Sequence, residues 1–427
     1  MTRDKFSAKF TSMRILVYGI NYSPELTGIG KYTGEMCAWL AKQGHEVTVI
    51  TALPYYPEWQ VHPNYRGKMW HREVMEGVEV YRCPLYVPQE VTSLKRIIHE
   101  FTFLASTLPI WFLLLFRKKF DITFTINPPF HLGLLPLLFS KLNRSKVISH
   151  IQDLQVDAAK DLGMIKNENF LNIMFGMESF ILKNSTVVST ISDGMQRKIE
   201  MKDINPAKIW QFPNWVDEQT IKPLSKAQSL RSEFGFTDAD KVVLYSGNLG
   251  EKQGLEVIID AAKTFQSQPD VHFFISGTGG GKERLVRLAQ DAGLTNVQFH
   301  PLQPYEKLSA LLAMADVHLV LQKKSASDLV LPSKLTGILA SGGCAIVTAL
   351  PGTTLYDVIN KYNMGILAEP ESSSALVAAI QTGLGEGAQL LRENARKYAV
   401  EHLGKEQILR KVEGRMEELV KGVRGSY

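Results

Sequence analysis

The sequence predicts an α/β protein with two domains, each built around a parallel β-sheet. Its 427 residues exceed what one ordinary hydrophobic core supports and suit two domains of about 200 residues each. Short apolar runs alternate with amphipathic helical patterns in both halves of the chain, which is the order of βαβ units. Glycine-rich loops follow several of these runs, at the sheet edge where such domains bind ligands.

The first half begins with an apolar run over residues 14–20 that is short and β-branched enough to form a buried strand. A loop with Pro24 follows, then a helical pattern as far as Leu40, and residues 47–50 form the next strand. Because these strands are apolar throughout, helices should cover both faces of a parallel sheet. Further strands are predicted at residues 78–83, 122–126, 146–150 and 186–190.

The second half repeats this order without detectable sequence identity to the first. A strand over residues 241–246 ends in Gly247, and a strand over residues 271–275 ends near Gly277. The later elements are predicted as helices at 255–265, 281–292, 305–314 and 333–341, and as strands at 297–299, 316–321 and 345–348.

The polar stretch from Pro213 to Asp240 marks a domain boundary. We therefore expect an N-terminal domain at residues 1–212 and a C-terminal domain at residues 213–403. Residues 404–427 carry a charged, amphipathic helix. It is interpreted either as a plain surface helix or as a strap that packs back on the N-terminal domain.

Cysteine usage and the N-terminus predict a cytoplasmic location. Cys37, Cys83 and Cys344 are far apart and form neither a metal-type nor a CxxC spacing, so a reducing compartment without disulfides is expected. Residues 1–12 are polar and lack the apolar segment of a secretory signal.

The positive charge is confined to the first half. Residues 1–212 contain 25 Lys and Arg against 19 Asp and Glu, whereas residues 213–427 contain 23 against 24. This excess is too small and too dispersed for nucleic-acid binding. It suits an anionic membrane surface or a phosphate-bearing acceptor.

The first glycine loop contains Gly28 and Gly30, before the first predicted helix. Their spacing does not match the dinucleotide fingerprint, and no acidic residue ends the second strand, so a nicotinamide-dependent oxidoreductase is disfavoured. Two glycines still allow a ligand to approach backbone N–H groups at a helix N-terminus. The alternative is that they only shape the turn.

Two further glycine loops follow neighbouring strands of the second domain. Residues 247–254 include Gly247, Asn248 and Lys252, and residues 277–282 include Gly277 and Gly279. The second loop is not a Walker P-loop, because its spacing is one residue short and Glu283 replaces the Ser or Thr. Together the loops predict a crevice for a nucleotide diphosphate at the carboxyl edge of the sheet.

A third segment of this domain is expected at the same crevice. Pro332 begins a predicted helix, with Ser333 and Lys334 in its first turn and Asp328 just before it. Lys334 would bind phosphate, and Asp328 would accept hydrogen bonds from sugar hydroxyls. The alternative is an ordinary helix cap with a solvated lysine.

His150 and Asp153 follow a strand of the first domain and are the candidate catalytic residues. A histidine can bond a sugar hydroxyl, and a carboxylate can orient or deprotonate an acceptor. The sequence does not decide which of the two residues is more important for catalysis. The alternative is that the histidine only makes hydrogen bonds within the protein and that the acid is solvated. No spacing of metal ligands is evident, so no metal or other cofactor is expected, and Lys and helix termini would neutralise a departing diphosphate.

An apolar run over residues 101–116 precedes the basic residues 117–119. Sixteen residues are fewer than the roughly 20 that span a bilayer, and Pro109 interrupts them. We expect a helix near residues 97–119 that lies in the membrane interface with a basic rim. A buried core helix is the alternative.

These segments together resemble the retaining GT-B glycosyltransferases of family 4. The resemblance covers essentially the whole chain and is carried by the Gly28 and Gly30 loop, GHEVTVIT (44–51), FPNWVD (212–217), YSGNLGEKQG (245–254), ISGTGGGK (275–282) and LPSKLTGILASGG (331–343). It implies two Rossmann-like domains with a ligand cleft between them and an active-site segment at His150 and Asp153. It also implies a donor site in which Gly28 and Gly30 lie near the diphosphate, Lys252 binds it, and the loop at 277–279 borders the nucleoside. Two departures concern the donor. Asn248 stands where many members have Arg, and Gly337 replaces the second of their paired glutamates.

A closer resemblance, to the branch of the family that builds the exopolysaccharide colanic acid, is carried by four runs at residues 15–40, 54–65, 150–153 and 244–256. This resemblance implies retaining transfer of L-fucose from GDP-fucose to a glycan on undecaprenyl diphosphate, at the inner face of the plasma membrane. It also implies that the leaving-group oxygen assists deprotonation of the acceptor. The alternatives are a UDP-N-acetylated sugar as donor, a nucleotide-sugar epimerase of the same fold, and a non-catalytic membrane scaffold.

Overall fold

The computed structural model describes residues 12–25, 28–90, 92–117, 119–161, 167–324 and 332–424. It divides into two compact units. Unit 1 comprises Met1–Phe212 with Leu409–Tyr427, and unit 2 comprises Pro213–Ile408.

Unit 1 contains an eight-stranded sheet. Its strands are β1 (Arg14–Tyr18), β2 (Glu46–Ala52), β3 (His71–Met75), β4 (Val78–Cys83), β5 (Ile122–Asn127), β6 (Lys146–Ile151), β7 (Val187–Thr190) and β8 (Ile209–Gln211), in the order β3-β4-β2-β1-β5-β6-β7-β8. All neighbours are parallel except the antiparallel pair β3 and β4. The chain order reverses between β1 and β5, which is the point where open α/β sheets bind ligands.

The described residues of unit 1 form seven α-helices, and the last of them comes from the end of the chain. They are α1 (Gly28–Lys42), α2 (Ser93–Arg117), α3 (Leu134–Asn143), α4 (Gln155–Asp161), α5 (Glu168–Asn184), α6 (Asp193–Glu200) and α14 (Lys405–Arg424). In α14, Glu413 is buried and its Oε1 lies 2.9 Å from Nε2 of His45. Nδ1 of His45 accepts from the backbone N–H of Met13 at 3.2 Å, so Nε2 carries the proton that Glu413 accepts.

Helix α2 is longer than the apolar run that predicted it. It has 25 residues, because Lys95, Arg96 and other polar residues before the apolar run form its first turns. It also continues through Pro109. A proline disturbs the hydrogen bonds of the preceding helical turn. Pro109 removes the N–H that would bond the carbonyl of Ala105, four residues earlier. The next carbonyl, that of Ser106, accepts from the indole of Trp70 at 2.8 Å.

Unit 2 contains a six-stranded, wholly parallel sheet. Its strands are β9 (Lys241–Asn248), β10 (Val271–Thr278), β11 (Val297–His300), β12 (Val317–Val320), β13 (Ala345–Thr348) and β14 (Ile366–Ala368), and their order is β11-β10-β9-β12-β13-β14. In order of appearance this is 3-2-1-4-5-6, the Rossmann arrangement. The ligand edge is therefore the carboxyl end of β9, where the chain order reverses.

Helices cover both faces of this sheet. They are α7 (Glu256–Phe265), α8 (Lys282–Asp291), α9 (Leu308–Met314), α10 (Ser333–Ala340), α11 (Thr354–Tyr362), α12 (Ser373–Gly383) and α13 (Ala388–His402). Two separate apolar cores result, one on each face of the sheet. The predicted fold class, two Rossmann-like α/β sheets, is confirmed.

Candidate functional site

The two glycine loops of unit 2 lie against each other at the end of β9 and β10. Gly277 pairs with Gly247 across the two strands, and a Cβ at Gly277 would lie 2.1 Å from the Gly247 carbonyl oxygen. A Cβ at Gly279 would lie 2.6 Å from Oδ1 of Asn248, and Gly279 has a φ of 147°. Only glycine fits these positions, because any side chain would separate the loops. The structure thus brings together four of the predicted donor-site residues.

Lys334 reaches the same place from the first turn of α10. Its Nζ lies 3.8 Å from the ring centroid of Tyr245, and a Cβ built at Gly247 would be 2.9 Å from it. The Nζ is buried and makes no hydrogen bond to any described residue. Burial lowers the pKa of Lys334 to about 7. An ammonium without hydrogen-bonding partners is costly to bury, so this position favours an anion.

The structure describes the other predicted donor-site residues of unit 2 only in part. Ser333 is exposed at the N-terminus of α10, beside Lys334. The backbone of Lys252 lies in a short 3₁₀ turn, Glu251–Gln253, that follows the glycine loop. The side chain of Lys252 and all of Asp328 lie outside the described residues.

A pocket of about 230 Å³ opens in unit 1 at the carboxyl ends of β1 and β5. It is lined by backbone and side chains of Ile20, Asn21, Gly28, Ile29, Tyr55, Tyr56, Trp59, Arg96, His99, Glu100, Pro128, Pro129 and Asp153. Aromatic rings with a few convergent polar groups are the usual lining of a small-molecule site.

The two glycines of the first loop have different surroundings. Gly28 has a φ of 58°, lines the pocket and has open space where a Cβ would point. Gly30 faces inward instead, where a Cβ would lie 2.7 Å from Oε2 of Glu25. The expectation that both face a ligand is therefore corrected for Gly30, which allows close packing of the loop.

The two candidate catalytic residues also have different surroundings. His150 is 3% exposed, with Nδ1 3.0 Å from the Ser189 hydroxyl and Nε2 3.0 Å from Nε2 of Gln152. Burial lowers the pKa of His150 to about 3, so the ring is neutral with both nitrogens engaged. It is not on the pocket wall, whereas Asp153 is exposed and lines it. The contact of His150 with a sugar and the catalytic role of Asp153 both stay predictions.

Two family models match the chain and together cover most of it. The glycosyl transferase 4-like domain matches residues 27–215, and glycosyl transferases group 1 matches residues 226–402. WcaI of Escherichia coli (strain K12), described as a candidate colanic acid biosynthesis glycosyl transferase, is 45% identical over 415 residues, covering 93% of this chain and 98% of the relative. The chain belongs to this glycosyltransferase family.

Solved structures share the fold of the glycosyltransferase. Sucrose-phosphate synthase from Thermosynechococcus elongatus has a TM-score of 0.75 at 17% identity, covering 96% of this chain and all of its own (100%). HepE of Anabaena, in complex with UDP and glucose, has a TM-score of 0.68 at 15% identity, covering 95% and 100%. These similarities confirm the GT-B fold that the sequence predicts.

Within the described ranges of the glycosyltransferase, no group of three or more His, Cys, Asp and Glu side chains is placed to hold a metal ion. Both sites contain charged side chains of the protein. In unit 1 they are the pocket residues Arg96, Glu100 and Asp153, and in unit 2 the described candidate is Lys334.

Glu25 organises the pocket of the glycosyltransferase and was missed from the sequence. Its buried Oε1 accepts from the backbone N–H groups of Tyr55 and Tyr56 at 3.2 and 3.1 Å, and Oε2 accepts from Asn21 at 2.9 Å. Burial raises the pKa of this carboxyl. It joins the loop after β1 to the loop after β2, which carries Tyr55 and Trp59 to the pocket. An acid beside Pro24 was the only sequence signal, and it did not identify the distant partners.

Replacing Glu25 with alanine is expected to destabilise unit 1 by about 2–3 kcal/mol, because two backbone N–H groups would lose their acceptor. Urea denaturation followed by circular dichroism measures this change. Glu58→Ala removes an exposed carboxylate from the loop after β2, which also carries Tyr55 and Tyr56, and should cost less than about 0.5 kcal/mol. Equal stability of the two variants would contradict the assignment.

Arg82 binds the backbone of the two loops that Glu25 joins. Its guanidinium is buried, donates to the carbonyl of Ser23 at 2.6 Å and to that of Ala52 at 3.4 Å, and pairs with Glu73. The arginine thus fixes the backbone at the ends of both loops that form the pocket. A lone Arg in an apolar strand indicates an internal partner, but the sequence does not identify which one.

Proposed function

We propose that the glycosyltransferase moves a sugar from a nucleotide diphosphate bound by unit 2 to a lipid-linked acceptor bound by unit 1. The observation that carries this proposal is the buried Nζ of Lys334, which lacks a hydrogen-bond partner among the described residues and faces Gly247. A diphosphate supplies the anionic oxygens that this ammonium lacks. A charge-assisted hydrogen bond of this kind contributes roughly 1.5–3 kcal/mol.

The surroundings of Lys334 support a diphosphate over a simple anion. Gly247 and Gly277 leave the backbone open at the edge of β9 and β10, where nucleotides bind in sheets of this strand order. The N-terminus of α10, with Ser333, adds free N–H groups and a favourable dipole. We place the donor on Gly247, Asn248, Lys252, Gly277, Gly279, Asp328, Ser333 and Lys334.

The acceptor sugar is assigned to the pocket of unit 1. Trp59 and Tyr56 offer aromatic faces to the apolar side of a sugar ring, and Asp153 offers a carboxylate to its hydroxyls. Gly28 leaves the entrance open, because nothing lies within 4 Å of the direction its Cβ would take.

Helix α2 supports a lipid-linked acceptor and a peripheral location on the inner membrane face. Its Phe103, Trp111 and Leu114 are buried in the unit 1 core, while Phe112 and Phe116 are 65% and 76% exposed. Further exposed apolar side chains lie on α2 and the neighbouring α3, namely Leu94, Ile97, Ile98, Phe101, Leu108, Leu138 and Leu142. A contiguous apolar surface of this kind marks a membrane or partner site.

By length and composition alone, the stretch Leu94–Arg117 would suffice to cross a bilayer, and 33% of its apolar window is buried. Since one face of α2 forms part of the core, we propose that the other face lies in the interface. Arg96 and Arg117 then lie at its two ends, where each basic residue near an anionic surface contributes about 1 kcal/mol.

The double variant Phe112→Asp, Phe116→Asp is expected to bind vesicles containing anionic phospholipid at least about tenfold more weakly, since each buried Phe contributes roughly 1.5–3 kcal/mol. Sedimentation with the vesicles measures the bound fraction. Met201→Asp, which alters an exposed apolar residue elsewhere in unit 1, is the matched control and should bind normally. Equal binding by both variants would argue against the α2 surface.

The finer assignment is retaining transfer of L-fucose from GDP-fucose in colanic acid biosynthesis. The name of the E. coli relative, which is 45% identical, supports colanic acid biosynthesis alone. The donor and the retention of configuration rest on the resemblance of the sequence motifs to the family. A panel of radiolabelled GDP- and UDP-sugars, offered with lipid-linked glucose, tests it through the product and its anomeric configuration. Use of UDP-N-acetylated sugars alone would remove the fucosyl assignment, and donor turnover without any acceptor would favour an epimerase.

A further inference from the structure

We infer that His99 binds a non-reacting hydroxyl of the acceptor sugar through its Nε2 atom. The inference rests on the proposed function, because it requires that the unit 1 pocket holds the acceptor. His99 lies in the second turn of α2 and is one of the residues that line this pocket. Its side chain is buried, and its ring centroid lies 4.6 Å from that of Tyr55 and 5.2 Å from that of Trp59. These two aromatic residues of the pocket lining hold the imidazole in place.

The hydrogen bonds of His99 fix which ring nitrogen carries the proton. Nδ1 lies 2.5 Å from the backbone carbonyl oxygen of Tyr86, which can only accept, so Nδ1 donates. Burial, together with the nearby charge of Arg96, lowers the pKa of His99, so the ring carries a single proton at neutral pH. Nε2 therefore presents a lone pair and accepts a hydrogen bond.

The lone pair of this Nε2 has no donor among the described residues, although the atom is buried. A buried acceptor without a partner is costly, so its missing hydrogen bond needs a source outside these residues. His131 and His318 are buried in the described part of the chain and also have an unpartnered ring nitrogen, but neither lines the pocket. His99 is thus placed to obtain its donor from a ligand in the pocket.

The other polar groups of the pocket indicate which kind of ligand supplies this donor. Glu100 and Asp153 offer carboxyl oxygens, and Arg96 offers a positive charge. Together with Nε2 of His99, these carboxyl oxygens give the pocket several hydrogen-bond acceptors, which suit a molecule with several hydroxyl groups better than they suit an anion. The donor is therefore assigned as a hydroxyl of an uncharged hexose.

The hydroxyl that His99 binds is not the one that attacks the donor sugar. Burial lowers the pKa of His99, which makes Nε2 a weak base, so this nitrogen holds a hydrogen bond and takes up no proton. The proton of the attacking hydroxyl is left to the leaving-group oxygen, as the resemblance to retaining enzymes implies. His99 thus determines which sugar binds and how its ring is oriented.

The test uses the full-length protein and two substitutions that separate the roles of the two ring nitrogens. In His99→Asn the amide can still donate to Tyr86 in place of Nδ1, but nothing replaces Nε2. With lipid-linked glucose and saturating nucleotide sugar, His99→Asn should raise the acceptor KM about tenfold and change kcat less than about threefold. His99→Gln should recover part of the lost affinity, because its amide oxygen can take the place of Nε2. Both variants should keep the wild-type affinity for the nucleotide sugar, which shows that they are folded.

Acceptor analogues that each lack one non-reacting hydroxyl identify the group that His99 binds. For one of them, the wild-type KM should rise about tenfold, whereas His99→Asn should distinguish it from the parent acceptor by less than about twofold. Loss of the other hydroxyls should affect the two enzymes equally, which a merely structural role for His99 would produce for every hydroxyl. An acceptor KM of His99→Asn within about twofold of the wild type, or equal losses for every analogue in both enzymes, overturns the inference. Where His99→Asn does not fold, a wild type that uses all the analogues equally well overturns it.

Tyr56→Ala separates a failure of this inference from a failure of the proposed function. Tyr56 lines the same pocket and is 40% exposed, so its loss should weaken binding of any acceptor sugar held there. A raised acceptor KM for Tyr56→Ala but not for His99→Asn would keep the acceptor in the pocket and overturn the role of His99. An unchanged KM for both would overturn the assignment of the acceptor to this pocket as well. Absence of transfer by the wild type from every nucleotide sugar would instead overturn the proposed function.

Discussion

Replacing Lys334 with methionine is expected to lower kcat/KM for the nucleotide sugar about 100-fold, the loss typical for removal of one charge-stabilising donor. Methionine keeps the length and apolar stem of the side chain, so its packing over Tyr245 is preserved while the charge is lost. Because the diphosphate carries more charge as it departs, most of the loss should appear in kcat. Steady-state kinetics with varied donor measures both parameters.

The control for this variant is Lys263→Met, which removes an exposed lysine of α7 that pairs with Asp260. It should leave kcat/KM within about twofold of the wild type. Lys334→Arg should not rescue the activity, because Gly247 already leaves so little room at Nζ. Activity of Lys334→Met equal to that of Lys263→Met would show that the buried ammonium does not bind the donor.

Donor affinity is expected to fall about tenfold for each pH unit above 7. In the free protein, burial lowers the pKa of Lys334 to about 7, so the amine is charged below this pH and neutral above it. A diphosphate restores the charged form, and binding above pH 7 must therefore take up a proton. Below pH 7 no uptake is needed and the affinity should be constant.

Isothermal titration calorimetry of an intact nucleotide sugar measures this linkage, because its phosphates do not titrate between pH 6 and 9. Two buffers with different ionisation enthalpies at pH 8 should report uptake of about one proton. In Lys334→Met the uptake and the pH dependence should both disappear. A wild-type affinity that stays constant from pH 6.5 to 9 would contradict the linkage.

The sequence predicts most of the fold because the central strands are continuous apolar runs. All six strands predicted for unit 1 are present, as are those predicted for unit 2. The edge strands β3, β8 and β14 were missed, because β3 is half-exposed along its length and β8 and β14 have three residues each. None of them has the apolar continuity by which buried strands are identified.

Some residues of the candidate sites were predicted from the sequence and others were not. Those that were missed depend on partners far away along the chain. Glycines that follow strands, such as Gly247 and Gly277, were identified because the topology alone brings them to one edge. The burial of Lys334 depends on Tyr245, about 90 residues earlier, and no local pattern reports it. Glu100 was overlooked because it borders an apolar run and meets Gln155 only in the folded unit.

Helix α14 has a consequence for the order in which the protein is completed during synthesis. Unit 2 interrupts unit 1 in the chain, so the ribosome must finish residues 213–408 before the last helix of unit 1 emerges. Until then His45 lacks its carboxylate, and the surface that will bury Leu409, Val412 and Met416 is open to water. The nascent N-terminal half is therefore expected to depend on chaperones for as long as translation of unit 2 takes.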